Sequence, residues 1–426
     1  MSQRVVTAAI MAALVLGLGG CDRAASPATD AQAESAQAPP IEFPTQELAS
    51  EHGTLRVAEI ATGLEHPWAV APLPDGGFLV TERPGRLRRI ARDGTLSDPL
   101  DGVPEVWAEG QGGLLDVVLA PDFARSRRIY LSYAEAGDDD TAGTAVALAT
   151  LGDDGLTGVQ RIYQQQPKLP GGLHFGSRIA FDGKGHVFIA QGERNQRAAA
   201  QALDALQGKL VRLALDGGVP RDNPFVGQAG ARPEIWSYGH RNVQSLAVDP
   251  RTGRVWLGEH GPRGGDEINL PEPGKNYGWP VVTHGINYSG EPIPEAVGRT
   301  AAGMTEPFHV WERSPGLSGM AFYSGHAGSP WGDSLFLGAL ADGDLIRLAL
   351  DGDRIVGEER LLGELKARIR DVRVTTDGHV YVLTDEPQGR LLRIAAPDGT
   401  QAPTPPAPAG GDATAGAGAA GSTSGG

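Results

Sequence analysis

The chain has one cysteine, Cys21, among its 426 residues. A framework of internal disulfides is therefore excluded, although an exported compartment would permit one. Positive charge is also short. The formal net charge is −15, so nucleic acid finds little electrostatic footing. An anionic ligand would need a local cluster of arginine or lysine working against that field. No apolar run reaches the roughly 18 to 20 residues that span a bilayer as a helix. Nor does any long segment repeat its apolar residues with the 3.6-residue period of an amphipathic helix. The stretch from Ala198 to Leu206 is compatible with a helical turn or two inside a loop.

The ends carry no core. Residues 1–20 read as a signal peptide, with Arg4 as the positive start and a small, apolar run from Val5 to Gly20. The run ends in Leu18-Gly19-Gly20-Cys21. This resembles a bacterial lipobox, in which the cysteine is lipidated and becomes the first mature residue. Cys21 is thus the expected lipidation site, and more than one acyl chain would make anchoring stable. The protein is expected to be exported, lipid-anchored and periplasm-facing, on the inner or outer membrane, touching lipid only through that anchor. Residues 21–53, rich in Ala, Pro, Ser and Gln, read as a flexible tether. Residues 401–426 contain Asp412 as their single charged side chain and read as a disordered tail.

Residues 54–400 are long for one ordinary core, yet no linker interrupts them. A repeat resolves this. The unit is an apolar strand, Asp-Gly or a near relative, a second apolar strand, a gap, then Gly-x-Leu-x-x-Leu/Ile. Copies begin at Trp68, Leu115, Ser177, Gln244, Ser318 and Ile369. The first (Pro74-Asp75-Gly76, then Gly85-Arg86-Leu87-Arg88-Arg89-Ile90) and the last (Thr376-Asp377-Gly378, then Gly389-Arg390-Leu391-Leu392-Arg393-Ile394) keep the pattern well. Short alternating strands joined by Asp-Gly are hairpins. Six four-stranded units in series predict an all-β fold, a six-bladed β-propeller. Its loops would meet at one end of a central channel, joining residues far apart in sequence.

Five stretches could carry chemistry there. The loop from Leu257 through Glu259-His260-Gly261-Pro262 and Gly265-Asp266-Glu267-Ile268-Asn269 to Tyr277-Gly278-Trp279-Pro280 is dense in glycine and proline. Carbonyls freed from regular pairing, with the carboxylates of Asp266 and Glu267, are the hard oxygen donors calcium takes. The plain alternative is a solvated acidic loop. Gly110-Gln111-Gly112-Gly113 lets a flat ligand approach backbone, with Gln111 as donor and acceptor; it is otherwise a structural turn. His174 precedes Phe175-Gly176, and Glu193 ends the neighbouring strand. Glu193 could hold one ring nitrogen and leave the other as a general base, although a lone histidine is more often structural. Gly239-His240-Arg241-Asn242 is a polar blade-opening turn or a ligand contact. In Lys366-Ala367-Arg368-Ile369-Arg370, Arg368 and Arg370 share one side of a strand and could fork onto carboxylates, or form a solvated basic edge. Gathered at one mouth, Arg241, Arg368, Arg370, a metal loop and a histidine suit a planar, polyanionic, calcium-bound cofactor.

These motifs, in this order, resemble the glucose/sorbosone dehydrogenase family, and within it the soluble pyrroloquinoline quinone (PQQ)-dependent aldose sugar dehydrogenases. The resemblance covers about Gly53 to Ile394. It implies that PQQ and calcium are the cofactors and that aldoses are oxidised at the anomeric carbon to lactones. His174 would take the hydroxyl proton, with Glu193 as the acid beside it. Gln111, Arg241, Asn242, Arg368 and Arg370 would bind PQQ. Glu267, and Tyr277 through its carbonyl, would hold calcium with Asp266 nearby. The carbonyls of Gly261 and Pro262 would face the calcium on the cofactor. Electrons would pass to a membrane quinone or a small carrier. One departure stands out: Ala341 occupies a position where the family often has a cofactor-binding lysine, which implies a weaker hold on PQQ or a substitute group. Two other readings stay open on the same propeller, a calcium-dependent lactonase-type hydrolase and a non-catalytic binding module. Trp279, Tyr288 and Trp311 are either pocket or packing residues.

Overall fold

Short strands that are apolar on both faces must be covered on both faces, and stacking sheets around an axis does this. The computed structural model describes residues 41–324 and 329–397. The chain divides into two units after Ile41, and every element below lies in the second.

Six sheets follow one another along the chain. The first has three strands, Pro67–Pro72, Phe78–Glu82 and Arg86–Ile90. The second has five, starting from Leu114–Leu119. The third, fourth and fifth have four each, with innermost strands Gly176–Phe181, Val243–Val248 and Leu317–Tyr323. The sixth runs Ile369–Val374, Val380–Thr384, Gly389–Ala395, then returns to the start of the folded chain: Gly53–Leu64 pairs with Gly389–Ala395, and Thr45–Ser50 pairs outside it. Each innermost strand touches the next, and the sixth touches the first. The fold is a six-bladed β-propeller.

All six repeat starts read from the sequence fall on the first or second residue of an innermost strand. Strand alternation then fills the space between blades. In the third blade, Val187 and Ile189 pack with Tyr130 and Val146 of the second blade. Their neighbours Phe188 and Ala190 pack with Val243 and Leu257 of the fourth.

The strand count departs from the expected four in the first, second and sixth blades. The tether expected over 21–53 is also corrected at its end, because Thr45–Ser50 is a strand. Its side chains are mostly exposed, so it carries no apolar alternation. It is held by backbone pairing from Thr45↔Ala58 to Ser50↔Gly53. Within 198–206, regular helix is limited to the end of a 3-10 turn, Arg197–Ala200. The signal peptide, Cys21, residues 21–40 of the tether and the tail at 401–426 lie outside the described residues.

Charges buried on the innermost strands tie the ring together. Arg178 is 1% exposed. Its Nη1 lies 2.8 Å from Asp371 Oδ1 and 3.5 Å from Asp116 Oδ1. Its Nε and Nη2 donate to the carbonyls of Gln244 and Arg370, at 2.9 and 3.0 Å. Its guanidinium sits 4.0 Å over the Trp68 ring. Arg373 adds a second cation, 3.0 Å from Asp116 and 3.2 Å from Asp371. One side chain of the third blade thus reaches the first, second, fourth and sixth.

Candidate active site

Turns that open the innermost strands and turns that follow the second strands gather at one end of the axis. They enclose a cavity of about 1030 Å³ with walls from all six blades. Gln111, Asn242, Gly261, Pro262, Asp266, Ala341, Arg368 and Arg370 line it. His174 and Arg241 are packed against these wall residues, Glu193 lies behind His174, and Glu267 and Tyr277 line a second, smaller cavity.

His174 has a left-handed backbone, φ 54°. Such a conformation is costly for a residue other than glycine and persists where the surroundings enforce it. They do so here: the His174 N–H donates to Gln111 Oε1 at 2.9 Å. Gly192 lies so close that a Cβ on it would sit 2.0 Å from the His174 carbonyl oxygen. The ring is nearly buried, and its Nδ1 is 2.8 Å from Oε2 of the buried Glu193. With Nδ1–H donating to the carboxylate, Nε2 is the nitrogen with a free lone pair. The neighbouring Arg194 is no ligand cation. It lies 3.8 Å over Phe175 and donates 2.8 Å to the Leu173 carbonyl, and burial pulls its pKa down to about 10.

In the fourth blade, Asn242 Oδ1 accepts from Gly176 N and Gln244 Nε2, both at 3.3 Å. The Arg241 backbone N–H donates to Glu259 Oε2 at 2.6 Å, and its Nη1 donates to the carbonyls of Gly261 (2.8 Å) and His260 (3.2 Å). Burial lowers the Arg241 pKa against the opposing pull of Glu193, Tyr288, Asp266 and Glu259. Its Nε has no hydrogen-bond partner among the described residues. Asp266 accepts three backbone N–H groups, from Gly261 (3.0 Å), Gly316 (2.8 Å) and Leu317 (3.1 Å), and so stitches the fourth blade to the fifth.

The smaller cavity, about 20 Å³, has room for one ion or one water and is lined by Glu259, Glu267, Gly261, Gly265, Tyr277 and Thr283 among others. Burial raises the Glu267 pKa well above the usual range, Glu259 adds to the rise, and Asn269, donating at 2.8 Å, opposes it. Glu259 already accepts from His240 Nδ1 (2.8 Å), Asn269 Nδ2 (3.0 Å) and Arg241 N. Ser237, His240 and Glu259 line up as a hydrolytic triad would, with Ser237 Oγ 2.9 Å from His240 Nε2. Yet Ser237 and His240 are fully buried, and none of the three lines the main cavity. The arrangement braces Arg241 instead.

In the sixth blade Arg368 and Arg370 do share one side. Both reach Asp385 Oδ2, at 3.1 and 2.7 Å. Arg368 also donates to the Leu340 carbonyl at 2.9 Å, and Arg370 to Gln244 Oε1 at 3.2 Å. The Arg370 Nε has no partner among the described residues. Ala341 offers the wall only a methyl group. The cavity lining nonetheless includes five arginines (Arg83, Arg263, Arg313, Arg368, Arg370) and three acidic residues (Asp266, Glu312, Asp385), a balance opposite to that of the whole chain.

Residues 64–393 match the model of the glucose/sorbosone dehydrogenase family. The chain belongs to that family. It is 56% identical over 345 residues to aldose sugar dehydrogenase YliI of Escherichia coli K12, covering 80% of this chain and 93% of that one. A crystal structure of a glucose dehydrogenase matches with a TM-score of 0.79 at 59% identity, over 80% of this chain and 99% of that one. The PQQ-bound form of aldose sugar dehydrogenase from Streptomyces coelicolor matches with a TM-score of 0.65 at 27% identity, over 84% and 100%.

In this family member, Asp385 is a cavity residue the sequence reading missed, as are Arg83, Glu312 and Arg313. A signal for it exists in the repeat: Glu82, Glu193, Glu259 and Asp385 all sit at or just past the end of a blade's second strand. Burial would raise the Asp385 pKa, but Arg370 and Arg368 outweigh burial and hold it at about 2, below the usual 3.8. A depressed carboxyl stabilises the fold above its unfolded pKa and loses that contribution as pH falls through the folded value. Asp385 should therefore contribute about 2 kcal/mol at neutral pH, lost between about pH 4 and pH 2. Denaturant titrations across that window should show the loss in the wild type and not in Asp385→Asn.

Proposed function

We propose that this protein is a PQQ- and calcium-dependent aldose dehydrogenase that oxidises the anomeric carbon to a lactone. The observation that carries this is a single cavity joining Gln111, Asn242, Arg368 and Arg370, with the His174–Glu193 pair held against its wall. The donor set fits the cofactor. PQQ is planar and tricarboxylate, and the wall offers forked cations, one with a buried Nε on Arg370 that has no hydrogen-bond partner among the described residues. Arg368 and Arg370 would bind its carboxylates, and Gln111 and Asn242 its polar edges. Arg241, braced by Glu259, would supply positive charge from behind. Where the family often has a lysine this chain has Ala341, and Arg263 and Arg313 are the further cations lining the cavity. When bound, PQQ supplies the hydride acceptor and calcium the Lewis acid that polarises it. His174 Nε2 would take the proton of the anomeric hydroxyl, while Glu193 fixes the tautomer and stabilises the imidazolium. The backbone carbonyls of Gly261 and Pro262 would face the calcium on the cofactor.

The smaller cavity would hold a structural calcium on Glu267 and the Tyr277 carbonyl. A partly buried carboxyl whose proton is favoured by a second carboxylate nearby suits a cation in its place. Calcium at about 100 times its dissociation constant should add roughly 2.7 kcal/mol to stability. The midpoint of thermal unfolding should thus rise with calcium, fall again with a chelator, and respond far less in Glu267→Gln.

The direct test is reconstitution: purified protein given PQQ and calcium should reduce a dye when an aldose is added. A sample shown by absorbance to bind PQQ, yet inactive with every aldose, would refute the proposal. The electron acceptor is proposed to be a membrane quinone or a small carrier, tested by replacing the dye with each. Lipidation at Cys21, on the periplasmic side of either membrane, is tested by whether Cys21→Ala moves the protein to the soluble fraction.

A further inference from the structure

Two aromatic side chains of the cavity wall, Phe175 and Trp68, are 2% and 3% exposed, whereas a third, Tyr288, is 75% exposed. Tyr288 lines the cavity together with Ile286, which is itself 41% exposed. Both are large apolar side chains left in water, and neither joins a buried cluster among the described residues. A mobile loop could account for that, but this loop is tied. Arg263 and Ile286 exchange backbone hydrogen bonds at 2.9 and 3.1 Å. Asn287 N–H donates to the Glu291 carbonyl at 2.8 Å, and Thr283 N–H to that of Gly298 at 3.1 Å. A tether also arrives from the third blade: Arg197 Nη2 donates to Asn287 Oδ1 at 2.6 Å, and its Nη1 lies 3.3 Å from Glu295 Oε2.

An exposed aromatic face fixed at the mouth of a polar cavity has a chemical counterpart. A pyranose ring is ringed by hydroxyls but presents clusters of C–H bonds on its faces. Those faces pack on aromatic rings, while the hydroxyls reach polar groups deeper in the site. We infer that Tyr288, flanked by Ile286, is the platform on which the sugar ring stacks, and that Arg197 is a positioning residue that keeps this platform aimed. The inference rests on the sugar-oxidising reading and says what selects the substrate: a cyclic sugar with an apolar face rather than an open-chain polyol.

The test uses the full reconstituted protein and two readouts. In steady-state kinetics with glucose, Tyr288→Ala should raise KM by about tenfold with kcat within about twofold of wild type, and Tyr288→Phe should behave as wild type. Arg197→Ala should raise KM in the same direction by a smaller factor, with Arg197→Lys recovering part of it. The second readout needs no turnover. Saturation-transfer NMR with methyl glucoside, whose anomeric oxygen is blocked, should show contacts to the ring C–H protons in wild type and Tyr288→Phe but not in Tyr288→Ala. Unchanged KM and unchanged saturation transfer in Tyr288→Ala would overturn the inference. So would a fall in kcat at constant KM. If the wild type oxidises no aldose yet binds the glucoside through Tyr288, the catalytic reading fails while the platform stands.

Discussion

Replacing His174 by asparagine should lower turnover by about 10²- to 10⁴-fold, the usual worth of a positioned general base, while PQQ binding stays near wild type. Asparagine is preferred over alanine because the backbone here is left-handed, φ 54°. Asparagine tolerates that region better than most residues, so the turn should survive. The hydrogen bond from the residue 174 N–H to Gln111 is made by backbone and should persist. What disappears is the ring nitrogen and its 2.8 Å partnership with Glu193. The pH profile supplies the second half of the result: the limb reporting the base should vanish in His174→Asn. Glu193→Gln should retain part of the activity, because an amide oxygen can still accept from Nδ1. A variant that binds PQQ and turns over at the wild-type rate would show that His174 is only a turn residue.

Arg178→Met should be the most destabilising single change. Removing the guanidinium leaves Asp371 and Asp116, both nearly or fully buried, sharing Arg373 alone. Stranding one partner of a buried ion pair costs about 3–5 kcal/mol, a large share of the roughly 5–15 kcal/mol that separates folded from unfolded chains. The same change frees the carbonyls of Gln244 and Arg370, whose side chains line the cavity. Denaturant midpoints should therefore drop sharply. The double variant Arg178→Met/Asp371→Asn should lose less than the two single losses combined, because it removes the stranded charge along with its partner. A single-variant loss below about 1 kcal/mol would place the network with ordinary surface pairs.

The fold was legible where the physics is local. Short apolar strands mark the blades from Trp68 to Ile369, and Asp-Gly follows the innermost strand at Asp75, Asp182 and Asp377, enough for the repeat to show. The closure was not legible. Gly53–Leu64 resembles any other strand, and only its pairing with Gly389–Ala395 reveals its place. Thr45–Ser50 was hidden for a different reason: an outer strand with polar side chains has no pattern to show. In the site, Arg368 and Arg370 could be paired from their spacing alone. Asp385 lies 15 residues from Arg370 in sequence, yet 2.7 Å from it in space. Such a partner emerges only when equivalent positions of different blades are superposed. Asp266 has a role its sequence context does not show. Its place in an acidic glycine loop suggests metal, and its carboxylate also accepts three backbone N–H groups that join the fourth blade to the fifth.

The sheet that holds Gly53–Leu64 beside Gly389–Ala395 also sets a schedule. Wherever the chain folds, the earliest strand of the ring emerges without its neighbour and must remain unpaired on that edge until the final strand arrives. Individual blades can collapse as they emerge, but the circle locks only when the last blade is free to dock. The protein should therefore acquire its resistance to proteolysis abruptly, when residue 395 is free to dock, rather than blade by blade.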